Sequence, residues 1–269
     1  MKLNNTYVLL NSGNVAERVG WAQAHKAISD SVKSMRWPNR KGVRKFRIPR
    51  IVSIPVGSRY TDSQGHTREV KDKKKTLRNG VRPLRDQFRT WMAKKKWRHE
   101  KPLSLVPFFG ELRGRNAVVF PKYPQTNQVE EIQLNESVGD FDFWFMTKSG
   151  FRTVVEWETG NISSSHRSLN KMCLALMGGL VDTAVLIVPS RMLYPHLTDR
   201  IGNIRELQPY FYFWNRFGTM VNEGLLAVIE VEHDELFKST DLREFVSLGT
   251  DGNSMRGSSE EGQSTDDFL

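Results

Sequence analysis

A strand, a helix and a second strand follow one another between residues 151 and 188. Phe151–Glu158 is a largely apolar run that carries two glutamates near its end, and Ile162–Met177 has the spacing of an amphipathic helix. Thr183–Val188 is continuously apolar, as is typical of a strand covered on both faces. Strand, helix and strand in this order predict a parallel pair with a right-handed crossover.

An antiparallel hairpin is predicted immediately before this unit. Phe141–Met146 is another apolar run, and Thr147–Gly150 joins it to the next strand with a glycine in the turn. Because the hairpin adds an antiparallel strand to a parallel pair, we expect an α/β fold with a central mixed β-sheet flanked by helices. Cys173 falls on the apolar face of the helix, where we expect a small buried side chain.

The rest of the chain is expected to join the same domain, because 269 residues suit one elaborated core better than two. Helical spacing predicts helices within Ala16–Met35 and Arg82–Arg98, and alternation predicts an edge strand or extended arm at Phe46–Pro55. Residues 57–75 are polar and basic and are expected to form a mobile loop. The acidic tail, residues 257–269, is small and polar, which predicts disorder.

Positive charge is concentrated in one part of the chain. The net charge is +10, and residues 36–101 hold 22 of the 40 lysines and arginines but only five acids. Such a surface attracts polyanions, most often nucleic acid, although lysine runs are also common as solvated faces. No secretion signal or apolar run of membrane-spanning length is found, and Cys173 is the single cysteine. These features predict a cytoplasmic protein with no membrane association.

Two glutamates stand one residue apart near the end of the first strand. Glu156 and Glu158 point to the same face of an extended strand, and the hairpin could bring Asp142 to that face. Carboxylates held together repel one another unless a cation lies between them, so the cluster predicts a Mg2+ site able to hold a phosphodiester. A solvated strand edge is the alternative for such a pair. Asp140 competes with Asp142, since both share one face of the strand.

The segment Glu156–Lys171 resembles the catalytic strand and following helix of the BamHI family of type II restriction endonucleases. The resemblance covers most of residues 37–256, with insertions near 57–75 and 111–137. It implies one restriction-endonuclease domain at residues 1–256. Further similar segments occur, in the family's order, at Asn79–Pro83, Glu100–Leu103, Leu197–Arg200, Glu206–Phe211 and Gly249–Gly252.

The resemblance implies a catalytic site of the PD-(D/E)xK superfamily, in the branch where glutamate replaces the usual lysine. It implies that Asp142, Glu156 and the backbone carbonyl of Trp157 bind Mg2+, with one or two ions per site. Glu100 would complete the acidic cluster from the end of a helix. Glu158 occupies the position of the missing lysine, where it could orient or deprotonate the attacking water. The activity implied is Mg2+-dependent hydrolysis of double-stranded DNA.

The resemblance also implies which side chains read the DNA sequence. Arginine suits guanine, aspartate suits the cytosine amino group and asparagine suits adenine. Because every implied reader has the family's residue type, the target predicted is GGATCC or a close variant, cut to leave 5′ overhangs. For the adjacent aspartate and arginine among them, a surface ion pair is the alternative. Major-groove readers are implied at Asn161, Ser163, Arg167, Asp199 and Arg200.

Three further DNA contacts follow from the same resemblance. Arg85 stands where the family has a lysine near the DNA. Gly249 and Asp251 resemble a C-terminal arm that enters the minor groove. Part of the basic segment at 57–75 is expected to touch the DNA backbone outside the target, where phosphate contacts position the duplex without reading it.

The partners implied are double-stranded DNA and a second copy of the chain, because symmetric DNA is read by a symmetric homodimer. Charged residues that pair across the family's subunit interface are lost together near Met177, Gly178 and Tyr212, which predicts a more apolar interface. A cognate DNA methyltransferase is implied in the same prokaryotic restriction-modification system, but not as a physical partner. The alternative function is a catalytically inactive, sequence-specific DNA-binding protein on the same fold.

Overall fold

The computed structural model describes residues 1–38, 42–104, 117–119, 130–132, 137–198 and 201–246. In chain order the strands are β1 (Lys2–Ser12), β2 (Arg47–Pro49), β3 (Val52–Ile54), β4 (Arg59–Thr61), β5 (Thr67–Glu69), β6 (Lys75–Leu77), β7 (Arg98–Ser104), β8 (Ala117–Val119), β9 (Glu130–Ile132), β10 (Ser137–Met146), β11 (Arg152–Trp157), β12 (Thr183–Pro189), β13 (Gly224–Glu232) and β14 (Glu235–Phe237). The helices are α1 (Val19–Ser34), α2 (Arg82–Lys94), α3 (Ile162–Met177), α4 (Ile204–Leu207) and α5 (Phe211–Arg216).

Six strands form the central sheet, in the order β1-β13-β12-β11-β10-β7. The three strands β11, β12 and β13 run parallel, whereas β1, β10 and β7 are antiparallel to their neighbours. Gly150, with a φ of 86°, closes the β10–β11 turn as predicted. The mixed sheet confirms the α/β prediction. Strand β1 is absent from the prediction, because Asn4 and Asn5 interrupt its alternation where its register shifts.

Helix α3 links β11 to the parallel strand β12, and both of its ends fall where the sequence predicts them. Asn161 caps its first turn, where the side-chain oxygen accepts a hydrogen bond from the Ser164 amide at 3.2 Å. Leu169, Met172 and Cys173 are fully buried on its apolar face. Burial raises the pKa of the Cys173 thiol to about 12, so this cysteine is a core side chain, as predicted.

The central sheet separates two hydrophobic cores. One core packs α1 and α2 against the face that carries Phe143, Val155 and Trp157. The other core packs α3 and α5 against the face that carries Val154 and Leu186. Alternate residues of β11 therefore pack into opposite cores, because successive side chains of a strand point to opposite faces of the sheet. None of the helices in the described ranges is both long and apolar enough to span a bilayer.

The basic segment at residues 57–75 forms β-structure, so the expectation of a mobile loop there is wrong. Strands β4 and β5 make a hairpin, and β3 pairs with β6 on either side of it. Ile54, Val70 and Leu77 form a small third core with Phe245, which is fully buried. A polar hairpin gains stability when it packs on a hydrophobic face, and here Phe245 supplies that face from the far end of the chain.

The remaining predicted elements are present with shorter bounds. Helices α1 and α2 confirm the two predicted helices, and α2 ends at Lys94, two residues before Lys96 with its positive φ of 66°. The predicted strand at Phe46–Pro55 is divided into β2 and β3. Within the insertion near 111–137, β8 and β9 pair antiparallel, and the rest of it up to residue 136 lies outside the described residues. The tail at 257–269 also lies outside them.

Candidate active site

Asp142 and Glu156 meet on the neighbouring strands β10 and β11. Phe143 pairs with Val155 in this hairpin, so the next position on each strand sets Asp142 beside Glu156. The Asp142 Oδ2 accepts a hydrogen bond from the Trp157 amide at 2.8 Å, which holds its carboxylate at the end of β11. Both side chains are largely buried, with exposed fractions of 22% for Asp142 and 13% for Glu156. The hairpin thus brings together two of the predicted metal ligands.

Burial makes ionisation of both carboxyl groups unfavourable. The pKa of Glu156 is raised to about 7, first by burial and then by the nearby charge of Asp142. The pKa of Asp142 is also raised, chiefly by burial, while the Trp157 amide and the Arg85 guanidinium act in the opposite direction. Two buried acids that resist joint ionisation create a place where a cation is favoured.

The carboxylate pair fits a hard divalent cation. Carboxylate oxygens are ligands that Mg2+ prefers, and a bound cation would offset the repulsion that raises the pKa of Glu156. Among the side chains that the structure describes, no three or more from Asp, Glu, His and Cys gather into a metal-binding group. Glu100 lies in strand β7, so its expected place at a helix end is wrong, and its side chain lies outside the described part.

Glu158 is buried next to the start of α3 and is held by its own set of groups. Its exposed fraction is 4%, and its amide extends the sheet by donating to the Ile187 carbonyl at 2.9 Å. One carboxylate oxygen accepts the Gly160 amide at 2.6 Å, and the other accepts the Ser165 hydroxyl. Burial raises the pKa of Glu158, and these hydrogen bonds oppose that effect. The carboxylate is therefore fixed in one orientation.

A lysine of α3, for which the sequence pattern predicts no role, joins the carboxylate pair. The Lys171 ammonium donates to a carboxylate oxygen of Glu156 and to the carbonyl of Asp140. The Asp140 residue is itself exposed, whereas Asp142 lies against Glu156, so the geometry favours Asp142 over its competitor. Its helical spacing could have indicated that Lys171 lies near the site, because it follows Arg167 by four residues and shares the polar face of α3.

Arg85 approaches the pair from α2. Its Nη1 atom lies 3.9 Å from the Asp142 Oδ1 atom, and its Nη2 atom lies 3.5 Å from the Asp86 Oδ1 atom. With an exposed fraction of 31%, the guanidinium is still accessible to solvent. The residue expected to lie near DNA therefore also lies beside a predicted metal ligand.

The predicted base readers divide into exposed residues and residues outside the described part. Asn161, Ser163 and Arg167 are exposed at the start of α3, close to Glu158 in the chain. Their exposure leaves them available to a ligand, although the Asn161 oxygen also caps the helix. The predicted contacts that lie outside the described residues are Asp199, Arg200, Gly249 and Asp251.

The described residues on either side of positions 199–200 are tied to other segments. On one side, the Thr198 amide donates to the Asn79 carbonyl at 2.6 Å. On the other side, Ile201 forms a β-bridge with Asn161, and the Gly202 amide donates to the Gly160 carbonyl at 3.0 Å. The second set of contacts joins this segment directly to the loop between Glu158 and α3.

Asn79 holds three segments together, a role that its place in a family-like motif did not reveal. It is fully buried, and its side-chain nitrogen donates to the carbonyls of Pro49 at 2.8 Å and His196 at 2.9 Å. Its side-chain oxygen accepts the Val246 amide at 3.1 Å. Val246 is the last described residue before the predicted DNA-binding arm at Gly249. The Asn79 side chain therefore holds Val246, which precedes that arm, in place.

In the absence of metal, Glu156→Gln is expected to stabilise the fold at pH 8 by about 1–3 kcal/mol and much less at pH 5. A glutamate in the unfolded chain ionises near 4.5, whereas Glu156 in the folded protein has its pKa raised to about 7. Stability is therefore lost as the pH rises between these values, and glutamine avoids that loss. Urea unfolding in EDTA at both pH values measures the difference.

The control for this experiment is Glu17→Gln, since Glu17 is an exposed glutamate far along the chain from the site. It should change stability equally little at pH 5 and pH 8. A Glu156→Gln effect of the same size at both pH values would contradict the raised pKa.

Comparison with known proteins places this site in context. The family of the restriction endonuclease BamHI matches residues 1–253. Over 256 residues the chain is 32% identical to the type II restriction enzyme OkrAI of Oceanobacter kriegii, covering 95% of this chain and all of that enzyme. Over 134 residues it is 31% identical to the type II restriction enzyme BamHI of Bacillus amyloliquefaciens, covering 49% of this chain and 53% of BamHI. Among solved structures, the restriction endonuclease BglII complexed with a DNA 16-mer has a TM-score of 0.49 and 11% identity, over 92% of this chain and 88% of that chain.

Proposed function

Because this chain belongs to the BamHI family of restriction endonucleases, we propose that it hydrolyses both strands of a palindromic DNA site with Mg2+. Membership of this family identifies the chain as a type II restriction enzyme, which is a site-specific deoxyribonuclease. The observation that supports the proposal most is the buried pair of Asp142 and Glu156. Exposed hydrogen-bonding side chains at the start of α3 lie a few residues away from it.

Asp142 and Glu156 would hold the metal, together with the carbonyl of Trp157 and the side chain of Glu100. When bound, Mg2+ supplies positive charge to a phosphate oxygen and lowers the pKa of a coordinated water. The Trp157 amide keeps the Asp142 carboxylate in place for this task. Lys171 contacts Glu156, so it orients that ligand and adds a positive charge near the scissile phosphate.

Glu158 is proposed to orient or deprotonate the attacking water. The Gly160 amide and the Ser165 hydroxyl donate hydrogen bonds to its carboxylate and so fix the orientation of that group. Burial raises its pKa, and a base whose pKa lies closer to neutral is better matched to proton transfer at neutral pH. The proposed role therefore uses both the position and the environment of this residue.

The proposed target is GGATCC or a close variant, cut to leave 5′ overhangs. Asn161, Ser163 and Arg167 would read the major groove from α3, with Asp199 and Arg200 reading the remaining bases. The resemblance to the family implies these five residues as the readers. Such an enzyme acts in the prokaryotic cytoplasm beside a DNA methyltransferase that protects the same sequence from cleavage.

Several basic groups are proposed to hold the DNA backbone. Arg85 lies at the site with its guanidinium partly exposed, and Arg59, Lys71 and Lys73 are exposed in the insertion at 57–75. Phosphate contacts from these residues would position the duplex and speed association without reading bases. Because the insertion packs on Phe245, it would also support the minor-groove arm proposed for Gly249 and Asp251.

The proposed assembly is a homodimer with an apolar interface. Four large apolar side chains are exposed within or beside α5. One of them, Tyr212, is a position at which the family resemblance implies that interfacial ion pairs are lost. Apolar side chains clustered on a surface are typical of interaction sites. These side chains are Tyr210, Tyr212, Phe213 and Met220, with exposed fractions of 49, 72, 53 and 58%.

Replacing both Tyr212 and Phe213 by glutamate is expected to convert the dimer to a monomer at micromolar concentration. Four introduced charges, two from each subunit, would face one another across a two-fold interface. Light scattering after size-exclusion chromatography measures the mass. Met146→Glu is the control, since Met146 is equally exposed at 55% but lies at the β10–β11 turn. A variant that keeps the wild-type mass would show that the interface lies elsewhere.

Plasmid cleavage tests the proposed function directly. Purified protein is incubated with plasmid DNA of known sequence, with Mg2+ and with EDTA, and the fragment ends are sequenced. Discrete fragments with a common palindrome at their ends, formed only with Mg2+, are expected. Intact plasmid together with a sequence-specific gel shift would instead identify a DNA-binding protein that has lost catalysis.

A further inference from the structure

The Ser165 hydroxyl lies beside both Glu158 and the segment after position 200. Ser165 is fully buried in the first turn of α3, and its hydroxyl donates to Glu158 Oε2. The other Glu158 oxygen accepts the Gly160 amide at 2.6 Å. The Thr159 backbone also bonds to this buried carboxylate, which therefore has little rotational freedom. Removing the Ser165 hydroxyl takes one of these donors away from Oε2.

Gly202 lies close to the same hydroxyl. A Cβ atom added at Gly202 would overlap Ser165 Oγ, while it would lie 3.1 Å from Ser165 Cβ. The backbone of Gly202 is held in place, because its amide donates to the Gly160 carbonyl at 3.0 Å and its neighbour Ile201 bridges to Asn161. The hydroxyl therefore packs against a segment that immediately follows the proposed base reader at position 200.

We propose that Ser165 is a positioning residue that orients Glu158 and makes its orientation depend on the segment at Ile201–Gly202. The proposal rests on the proposed function, since Glu158 is assigned there to the attacking water. A displacement of Gly202 moves the hydroxyl, and the hydroxyl moves the carboxylate that it contacts. Recognition at the preceding residues is thereby linked to the geometry of the cleavage step.

Ser165→Ala is expected to lower the single-turnover cleavage rate by about 10- to 100-fold while the dissociation constant for DNA stays within about threefold. The probe is a duplex that carries the site cut by the wild-type enzyme, with binding measured by gel shift without Mg2+. Ser31→Ala is the matched control, because Ser31 is also fully buried in a helix and its hydroxyl bonds to the Ala27 carbonyl. A purely structural role for Ser165 would lower stability in both variants and leave the cleavage rate unchanged.

A double-mutant cycle tests the contact with Gly202. Gly202→Ala alone should reduce cleavage at least about 10-fold, because the added methyl group displaces Ser165 Oγ. Once the hydroxyl is removed, the same methyl still lies 3.1 Å from Ser165 Cβ and 3.4 Å from the Ile162 Cα atom, which a small shift can absorb. Ser165→Ala and the double variant should then cleave at rates within about threefold of each other.

The outcomes separate this proposal from the function on which it rests. If wild-type protein gives no Mg2+-dependent fragments, the proposed function fails. If the wild type cuts and Ser165→Ala cuts at the same rate, the positioning role is overturned. Independent effects, in which the two losses multiply in the double variant, would overturn the link to Gly202. Unfolding measured on each variant confirms that the rates belong to folded protein.

Discussion

Glu156→Ala is expected to reduce DNA cleavage by at least about 1000-fold while specific DNA binding stays within about threefold. Glu156 belongs to the buried pair, where burial and the charge of Asp142 raise its pKa to about 7, and it contacts Lys171. Its loss removes one of the two adjacent carboxylates that are proposed to hold the divalent cation, and leaves Asp142 as the only carboxylate of the buried pair. Single-turnover cleavage with Mg2+ and gel shifts without it measure the two quantities.

Two comparisons sharpen this experiment. Glu17→Ala, at an exposed glutamate, should cleave like the wild type. Wild-type protein in EDTA should bind the target and leave it intact, as Glu156→Ala does with Mg2+. Cleavage by Glu156→Ala at the wild-type rate would show that the metal site has been assigned to the wrong carboxylates.

Asn79→Ala is expected to lower the free energy of unfolding by about 2–4 kcal/mol. The change removes three buried hydrogen bonds, to the carbonyls of Pro49 and His196 and from the amide of Val246. Alanine satisfies none of these backbone groups, and each buried group left unpaired costs about 1–3 kcal/mol, with partial relief by relaxation. Urea unfolding at constant pH measures the loss.

Asn11→Ala is the control for Asn79, because the exposed Asn11 side chain accepts one hydrogen bond, from the Ala16 amide at 3.0 Å. It should cost less than about 1 kcal/mol. Equal losses in the two variants would contradict the role of Asn79 as an anchor. A further readout is discrimination between the target and its single-base variants, which should fall in Asn79→Ala because the His196 carbonyl and the Val246 amide lose their common side-chain partner.

Local patterns predicted the centre of the fold well. The bounds of α3 and the β10–β11 turn follow from helical spacing and from a glycine placed between two apolar runs. The parallel pairing of β11 and β12 follows from their order with an intervening helix. Each of these features depends on neighbours within about 40 residues along the chain, so the sequence pattern expresses it directly.

Elements that depend on distant partners were predicted poorly. The polar hairpin at 59–69 is stabilised next to a core that includes Phe245, and no local pattern in the hairpin itself indicates that partner. Strand β1 pairs with β13 across the length of the chain and carries a register shift at Asn5. Glu100 was expected at a helix end, whereas it lies in the edge strand β7. Tertiary pairing overrides weak local propensity in these cases.

The amino-acid sequence by itself determined the acidic strand, the helix that follows it and the family to which the chain belongs, because residue spacing and order along the chain define all three. The tertiary structure decided how these parts act together. Packing of α3 on the sheet brings Lys171 to Glu156, and the loop at Gly202 meets Ser165 beside Glu158. Such contacts join side chains on different secondary-structure elements, so only close packing of the folded chain selects them.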